Sequence, residues 1–542
     1  MAPPVSRALL RWVPVAACVA LVAVHVDVWA ARVPHPFDLE WMEGGMLAHA
    51  WRLQHGLPLY VRPNPDFVPF VYPPGYAALL AALGEAVGLS PALGRLVSLA
   101  GLCLAAVGVG FGVARATGSG RAAVFAGTTL LATYHHTGGF YDLVRPDGLF
   151  LGLFAWSLAL AAERCRSTAI SAGLLLAAAF TVKHNAGAWG PVLALAIGWR
   201  DGWRRALAFA LAAAVPAGLL SLRWELASDG LFSTYLLAVP ASHPSLAERW
   251  WPGLPRELGN ALPIPVAVLV AAWWKRAADQ PLPPALSTYA PALAGMLAGW
   301  AGTYLKPPAD SGLYNVPASV AFFAVGALPV VGLAWSVGGR RRGELALPLL
   351  VGGATLAITG AMRAHNGGYV NVLAPLFLVV VGGAGVILGD LARAGRDGLV
   401  AVLVLAQLGW VSGTFERRRI LPTPRDREAG HRLVEACREV DGPVLSPFAA
   451  WLPTYAGKPP SLHHMSVWDL DYPGNPLRPE LSVIEDAVRA HHWDLVLAGN
   501  QKFGFGLPDA YGQEEILVDT KSRALLPKTG WQARPTRALR PD

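Results

Sequence analysis

Charge is what this sequence has least of. Asp, Glu, Lys and Arg make up 15% of its 542 residues, where soluble globular domains carry about 25%. With 54% hydrophobic residues as well, the chain does not read as a soluble enzyme. Cysteine is scarce too. Cys18, Cys103, Cys165 and Cys437 are its four cysteines. None are closely spaced and only Cys437 lies in a polar region, which argues against a disulfide framework or a cysteine metal site. Internal repeats and low-complexity tracts are missing as well. His463-His464 and His491-His492 look like metal pairs, but adjacent side chains point apart on a helix or strand and no third ligand stands at a metal-site spacing.

Long apolar runs are abundant. A hydrocarbon core of about 30 Å takes roughly 20 apolar residues per helix, and runs near that length recur from Trp12 to about Gly413. Arg7 and Arg11 precede the first, Trp12–Ala31, which reads as a retained signal anchor. The others are Leu93–Val113, Ala122–His135, Gly148–Ala162, Ala169–Val182, Ala186–Trp199, Ala206–Leu222, Ala261–Trp274, Leu286–Leu305, Leu313–Val337, Leu345–Met362, Val370–Leu388 and Leu399–Val411. The expected fold is therefore a polytopic α-helical membrane protein of about 13 transmembrane helices. Tyr76–Leu89 is shorter, follows prolines and contains Glu85, so it reads as an interfacial helix.

The net charge of +8 does not point to nucleic acid. The cations cluster in alternate short loops (Arg115 and Arg121; Arg164 and Arg166; Arg200, Arg204 and Arg205; Lys275 and Arg276; Arg340 to Arg342; Arg393 and Arg396), which the positive-inside rule places in the cytoplasm. Arg417, Arg418 and Arg419 are the one cluster against it. The N-terminus is then cytoplasmic, and an odd number of spans leaves the C-terminus extracytoplasmic. Residues 1–413 read as the membrane domain and 414–542 as a small soluble α/β domain. In the latter, Glu428–Val440 and Ile484–Ala490 suggest helices, and Pro443–Ser446 and Leu495–Ala498 suggest short buried strands.

The segment 32–90 is the longest polar break, and its core, Phe37 to Tyr76, holds Asp38, Glu40 and Glu43. These carboxylates suit a general base or ligands for a divalent ion. Other outer-face loops carry isolated cations at span ends: Arg145-Pro146-Asp147, Lys183-His184-Asn185, Lys306-Pro307-Pro308 and Arg363-Ala364-His365-Asn366. Cations there suit a lipid phosphate. The bland readings are an acidic helix N-terminus, a structural Arg145–Asp147 ion pair and a snorkelling Lys183.

The acidic first loop with Glu43-Gly44, the Gly56-Leu57-Pro58-Leu59-Tyr60 stretch, the Tyr72-Pro73-Pro74-Gly75-Tyr76 return, Arg145-Pro146-Asp147 opening a span and Lys183-His184-Asn185 closing one together resemble the GT-C class of integral membrane glycosyltransferases. Within it they are similar to the protein O-mannosyltransferase and lipid A aminoarabinose transferase group (glycosyltransferase family 39-like). The motifs cover residues 1 to about 200; beyond that the likeness is one of topology. The resemblance implies inverting transfer of a sugar from a polyprenyl-phosphate donor to a hydroxyl of a lipid, glycan or protein acceptor. It implies a catalytic base among Asp38, Glu40 and Glu43, a donor phosphate held by Lys183 and His184 with Arg363 or Lys306, and Arg145 and Asp147 close to the acceptor or a metal. A divalent cation is compatible and not required. Met42 departs from the family pattern, in which an aspartate precedes Glu43-Gly44. The rival reading, a lipid-linked glycan transporter, would place charges near the midplane on broken helices with repeat symmetry.

Overall fold

The computed structural model describes residues 4–278 and 342–542. The expected spans Leu286–Leu305 and Leu313–Val337, and with them Lys306, lie outside the described residues. Helices occupy the position of every other expected span: α1 (Pro4–Arg32), α4 (Pro91–Thr117), α5 (Gly120–Ala132), α6 (Asp147–Ala162), α7 (Arg166–Val182), α8 (Trp189–Asp201), α9 (Trp203–Ala227), α11 (Pro263–Ala278), α12 (Arg342–Ala364), α13 (Ala374–Arg393) and α14 (Asp397–Thr414). The first loop adds α2 (Glu43–Gln54) and α3 (Gly75–Val87), and α10 (Leu254–Ala261) precedes α11.

Among the described residues, five helices are long and apolar enough to cross a membrane: Leu9–Arg32, Pro91–Thr117, Trp203–Ala227, Val370–Arg393 and Asp397–Thr414. Others are apolar but short. At 1.5 Å per residue, the 16 residues of α6 reach only about 24 Å. Helix α3 has 13 residues and reaches about 20 Å, too short to span.

Small residues set the closest helix contact. Gly148 and Gly152, one turn apart on α6, lie against the α4 backbone. A Cβ at Gly148 would stand 2.1 Å from the Ser98 carbonyl oxygen, and one at Gly152 would stand 2.5 Å from that of Gly101. This is the small-xxx-small packing that lets membrane helices approach backbone to backbone. Helix α4 starts at Ser90, whose hydroxyl accepts from Leu93 N at 3.3 Å, and stops at Gly118 in the left-handed region. The start of α6, and so Asp147, is thereby fixed beside the first turns of α4.

One side chain ties the first loop to this pair. Arg95 lies within the apolar run of α4 and is fully buried. Its guanidinium donates to Glu43 Oε1 at 2.9 Å and Oε2 at 2.6 Å, and to the carbonyls of Arg32, His35 and Phe37. Arg32, at the end of α1, repeats the device. It donates to both oxygens of buried Asp142, at 2.7 and 3.1 Å, and to the carbonyls of Gly139 and Ile420.

The C-terminal segment forms a four-stranded mixed sheet, β1-β2-β4-β3, from β1 (Val444–Leu445), β2 (Leu495–Gly499), β3 (Gln513–Ile516) and β4 (Pro535–Arg540). β1 and β2 are parallel; β4 runs antiparallel to β2 and β3. Three helices flank it: α15 (Pro424–Arg438), opened by a Thr423–Asp426 capping box, α16 (His464–Leu470) and α17 (Ser482–Arg489). The sheet does not stand apart from the first loop. Phe37 packs with Leu433, Val434, Leu495 and Leu497 in one core, its ring so close to Gly430 that a Cβ there would lie 2.1 Å from it. Trp41 and Tyr76 share a second core with Leu445, Phe448 and Trp451.

Arg95→Ala would leave Glu43 charged, buried and without its counter-ion, a defect that costs about 3–5 kcal/mol. The expected result is a marked fall in thermal unfolding temperature in detergent and in folded yield. The double variant Arg95→Met/Glu43→Gln should recover part of that loss, because it removes both charges.

Candidate active site

Glu43 opens α2, and every direction around its carboxylate is used. Besides Arg95 it accepts from Leu39 N at 2.6 Å and Val144 N at 2.8 Å. Burial alone would push this carboxyl up, but Arg95 and these donors hold it below the ordinary range. Glu43 therefore pins the loop to α4 and to the approach to α6. The same geometry aims Glu40, three residues earlier, inward. His49 fixes the proline-rich return behind it: its Nδ1 bonds to the Gly45 carbonyl at 2.7 Å and its Nε2 accepts from Phe70 N at 2.8 Å.

From Glu40 a buried line of charges runs along the end of the bundle. Arg145 Nη1 is 3.7 Å from Glu40 Oε2, and Arg145 Nε is 3.9 Å from Asp147 Oδ2. Lys183 Nζ donates to Asp147 Oδ1 at 2.7 Å, as does Asn371 Nδ2 at 2.8 Å. Arg145 also donates to the Tyr72 hydroxyl at 2.7 Å and to the Met42 sulfur at 2.8 Å. Met42 thus offers Arg145 a neutral, soft acceptor beside the two carboxylates of Glu40 and Asp147.

These groups are under-satisfied. Arg145 Nε, Asp147 Oδ2, His184 Nδ1 and Asn185 Oδ1 are buried and have no hydrogen-bond partner among the described residues. Buried polar atoms are nearly always paired, so a cluster of unpaired ones marks a place prepared for another molecule's polar groups. Burial, against the opposing charge of Arg145 and with help from Glu43, pushes the Glu40 carboxyl up to about 7. Burial and the adjacent Lys183 charge bring His184 down to about 4 and keep its ring neutral.

The remaining sequence-derived site residues fall elsewhere. Asp38 faces away from the charge line. It borders a small cleft between the first loop and the C-terminal segment, lined by Trp41, Phe448, Trp451, Tyr455 and Arg534. Its Oδ2 has no hydrogen-bond partner among the described residues, and burial followed by the Glu43 charge pushes its carboxyl well above the usual range. Arg363 is committed to Glu257 through contacts of 2.6 to 3.1 Å, and to the Gly368 carbonyl at 2.8 Å. Its guanidinium thus has a structural partner that the sequence reading did not name. Among the described residues no three His, Cys, Asp or Glu side chains gather as a metal would need.

Sequence reasoning missed three participants. Arg95 sits inside an expected span, where a lone arginine is costly enough to be a signal. Asn371, the second donor to Asp147, stands at the start of the expected span Val370–Leu388 and carries no motif. Asp469 comes from α16 and is only 2% exposed. It lies within electrostatic reach of Arg145 and Tyr72, and neither of its carboxylate oxygens has a hydrogen-bond partner among the described residues.

No protein-family model and no curated protein matches the chain. Among solved structures, it is similar to ArnT from Cupriavidus metallidurans bound to undecaprenyl phosphate, at 15% identity over 96% of this chain and 97% of that one, with a TM-score of 0.49. It is also similar to the archaeal oligosaccharyltransferase AglB from Archaeoglobus fulgidus in complex with an inhibitory peptide and a dolichol-phosphate, at 13% identity over 90% of this chain and 69% of that one, with a TM-score of 0.46.

Proposed function

We propose that this protein is a membrane glycosyltransferase that moves a sugar from a polyprenyl-phosphate carrier to a hydroxyl acceptor, with inversion, at the extracytoplasmic face. The observation that carries this reading is the buried line Glu40–Arg145–Asp147–Lys183, with a base at one end and cations holding unused donor capacity along it. In the same reading residues 1–413 form the membrane domain, residues 414–542 are extracytoplasmic, and the donor enters laterally from the bilayer.

The donor phosphate sits against Lys183 and Arg145. Each is now neutralised in part by Asp147, and each can swing a donor to an incoming oxyanion. His184, held neutral, adds one ring N–H. Glu40 takes the proton from the acceptor hydroxyl as its oxygen attacks the anomeric carbon from the face opposite the leaving group. The bond from that carbon to the phosphate oxygen breaks, and its electron pair leaves with the lipid phosphate. Phosphate is stable as the departing anion, so no strong general acid is needed. Glu43 serves by position, holding Glu40 and the start of α6 in register.

A base near neutrality matches its work to ambient pH. Below about 7, Glu40 is protonated and cannot accept, so transfer should rise with pH through about 7 and then level. Glu40→Gln should lower the transfer rate by about 10²–10⁴-fold and flatten that profile, while leaving binding of the lipid phosphate intact. The assay is transfer of labelled sugar from a polyprenyl-phosphate donor in membranes. Wild-type-like activity in Glu40→Gln would overturn the base assignment, and no transfer by the unaltered protein from any such donor would overturn the reading.

Lys183→Ala should instead act on the donor. Loss of a charge-assisted contact should weaken binding of polyprenyl phosphate about 10- to 100-fold. Lys183→Arg should restore part of it.

A further inference from the structure

Among the described residues, the Asp469 side chain has no hydrogen-bond partner. Its place in the fold is set by its main chain: the carbonyl oxygen accepts from His243 Nε2 at 2.8 Å and from Asn475 Nδ2 at 3.1 Å. The carboxylate makes no hydrogen bond to any described residue, although Asp469 is only 2% exposed. Its nearest cationic candidate, His243 Nε2, is 3.8 Å from Oδ1 and is already spent on the carbonyl. A buried carboxylate left this way costs stability, because it gave up water and received nothing in return. Burial accordingly pushes its carboxyl well above the usual range, and Arg145 only partly opposes this.

The surroundings say what would satisfy it. Asp469 stands on α16, whose N-cap His463 packs its ring on Phe70, the neighbour of Tyr72, and the Tyr72 hydroxyl accepts from Arg145, so α16 borders the charge line from the C-terminal side. A phosphate next to a carboxylate would be repelled, and Lys183 and Arg145 offer it a better seat. The groups that fit beside Asp469 are neutral or cationic hydrogen-bond donors, and on the proposed donor these belong to the sugar.

We infer that Asp469 is a sugar-recognition residue, whose carboxylate takes hydrogen bonds from a hydroxyl or amino group of the lipid-linked sugar and so contributes to the choice of donor. This rests on the transferase reading above. In it, the C-terminal segment closes over the donor headgroup and contributes a specificity contact to a site otherwise built from the membrane helices and first loop.

The test compares the full-length protein with Asp469→Asn and Asp469→Ala in lipid nanodiscs. Three ligands are titrated: undecaprenyl phosphate without a sugar, undecaprenyl-phosphate-linked glucose and undecaprenyl-phosphate-linked glucosamine. Affinity for the sugar-free lipid should be unchanged. Affinity for at least one sugar-linked lipid should fall about 10- to 100-fold. A loss confined to glucosamine identifies an ammonium contact, and a loss with glucose identifies a hydroxyl contact. The thermal unfolding temperature of Asp469→Asn, without ligand, should equal or exceed that of the unaltered chain, because an unsatisfied charge has been removed. Unchanged affinity for both sugar-linked lipids would overturn the inference and leave the transferase reading standing. Equal losses for all three ligands, with a lowered unfolding temperature, would show a structural residue. Failure of the unaltered protein to bind any of the three would overturn both.

Discussion

The Arg95–Glu43 pair is the constraint on which the rest of the site depends. Each partner is fully buried, and the pair is more than an ion pair. Arg95 also binds the carbonyls of Arg32, His35 and Phe37, while Glu43 also binds the amides of Leu39 and Val144. Those seven residues come from the end of α1, the first loop, the start of α2, α4 and the approach to α6. Two charges in a poor dielectric are retained only when almost every proton and lone pair is answered, and here the answers are backbone groups that would otherwise be unpaired in an irregular loop. The loop keeps a defined shape without regular secondary structure because its hydrogen bonds run to Arg95.

Arg145 makes the contrast. It too is buried, yet it is loosely held: two carboxylates at 3.7 and 3.9 Å, a tyrosine hydroxyl, a thioether and an Nε with no hydrogen-bond partner among the described residues. A saturated arginine builds structure; an arginine with spare donors among buried carboxylates is available to a ligand. The same distinction separates Glu43 from Glu40, and Arg363 from Lys183. Glu43 and Arg363 have matched partners on all sides. Glu40 is left above its ordinary pKa beside a distant guanidinium, and Lys183 shares its one carboxylate oxygen with Asn371.

How much could be read from the chain follows from the range of the forces involved. Spans are local, so α1, α4 and the other apolar helices stand near their expected positions. Arg145, Asp147 and Lys183 were legible because a charge at the end of an apolar run is an anomaly visible in a few residues, and the structure sets the three side by side. The division of labour among Asp38, Glu40 and Glu43 was not legible. It depends on which carboxylate faces Arg95, some fifty positions away, and the sequence carries no sign of that meeting. β3 escaped for another reason: its Gln-Glu-Glu-Ile is wholly exposed, so it lacks the alternation that marks a half-buried strand. Asp469 lies in a polar stretch where one more aspartate means nothing until its burial is known.

The docking of the C-terminal segment on the first loop gives that burial its meaning. Phe37 fills the space over Gly430, Trp41 packs with Phe448 and Trp451, and the Glu40 and Thr529 backbones pair in a parallel bridge. The segment is thus seated on the same loop that carries the proposed base. A sheet seated there shields the loop from water, and shielding is what raises Glu40 toward neutrality and strengthens every charge contact around Arg145. It also brings in Asp469, a group that weakens the assembled fold. Apolar packing supplies the stability that a fold spends on such groups. A carboxylate that the surrounding structure could satisfy and does not is most simply understood as held for a partner outside the chain.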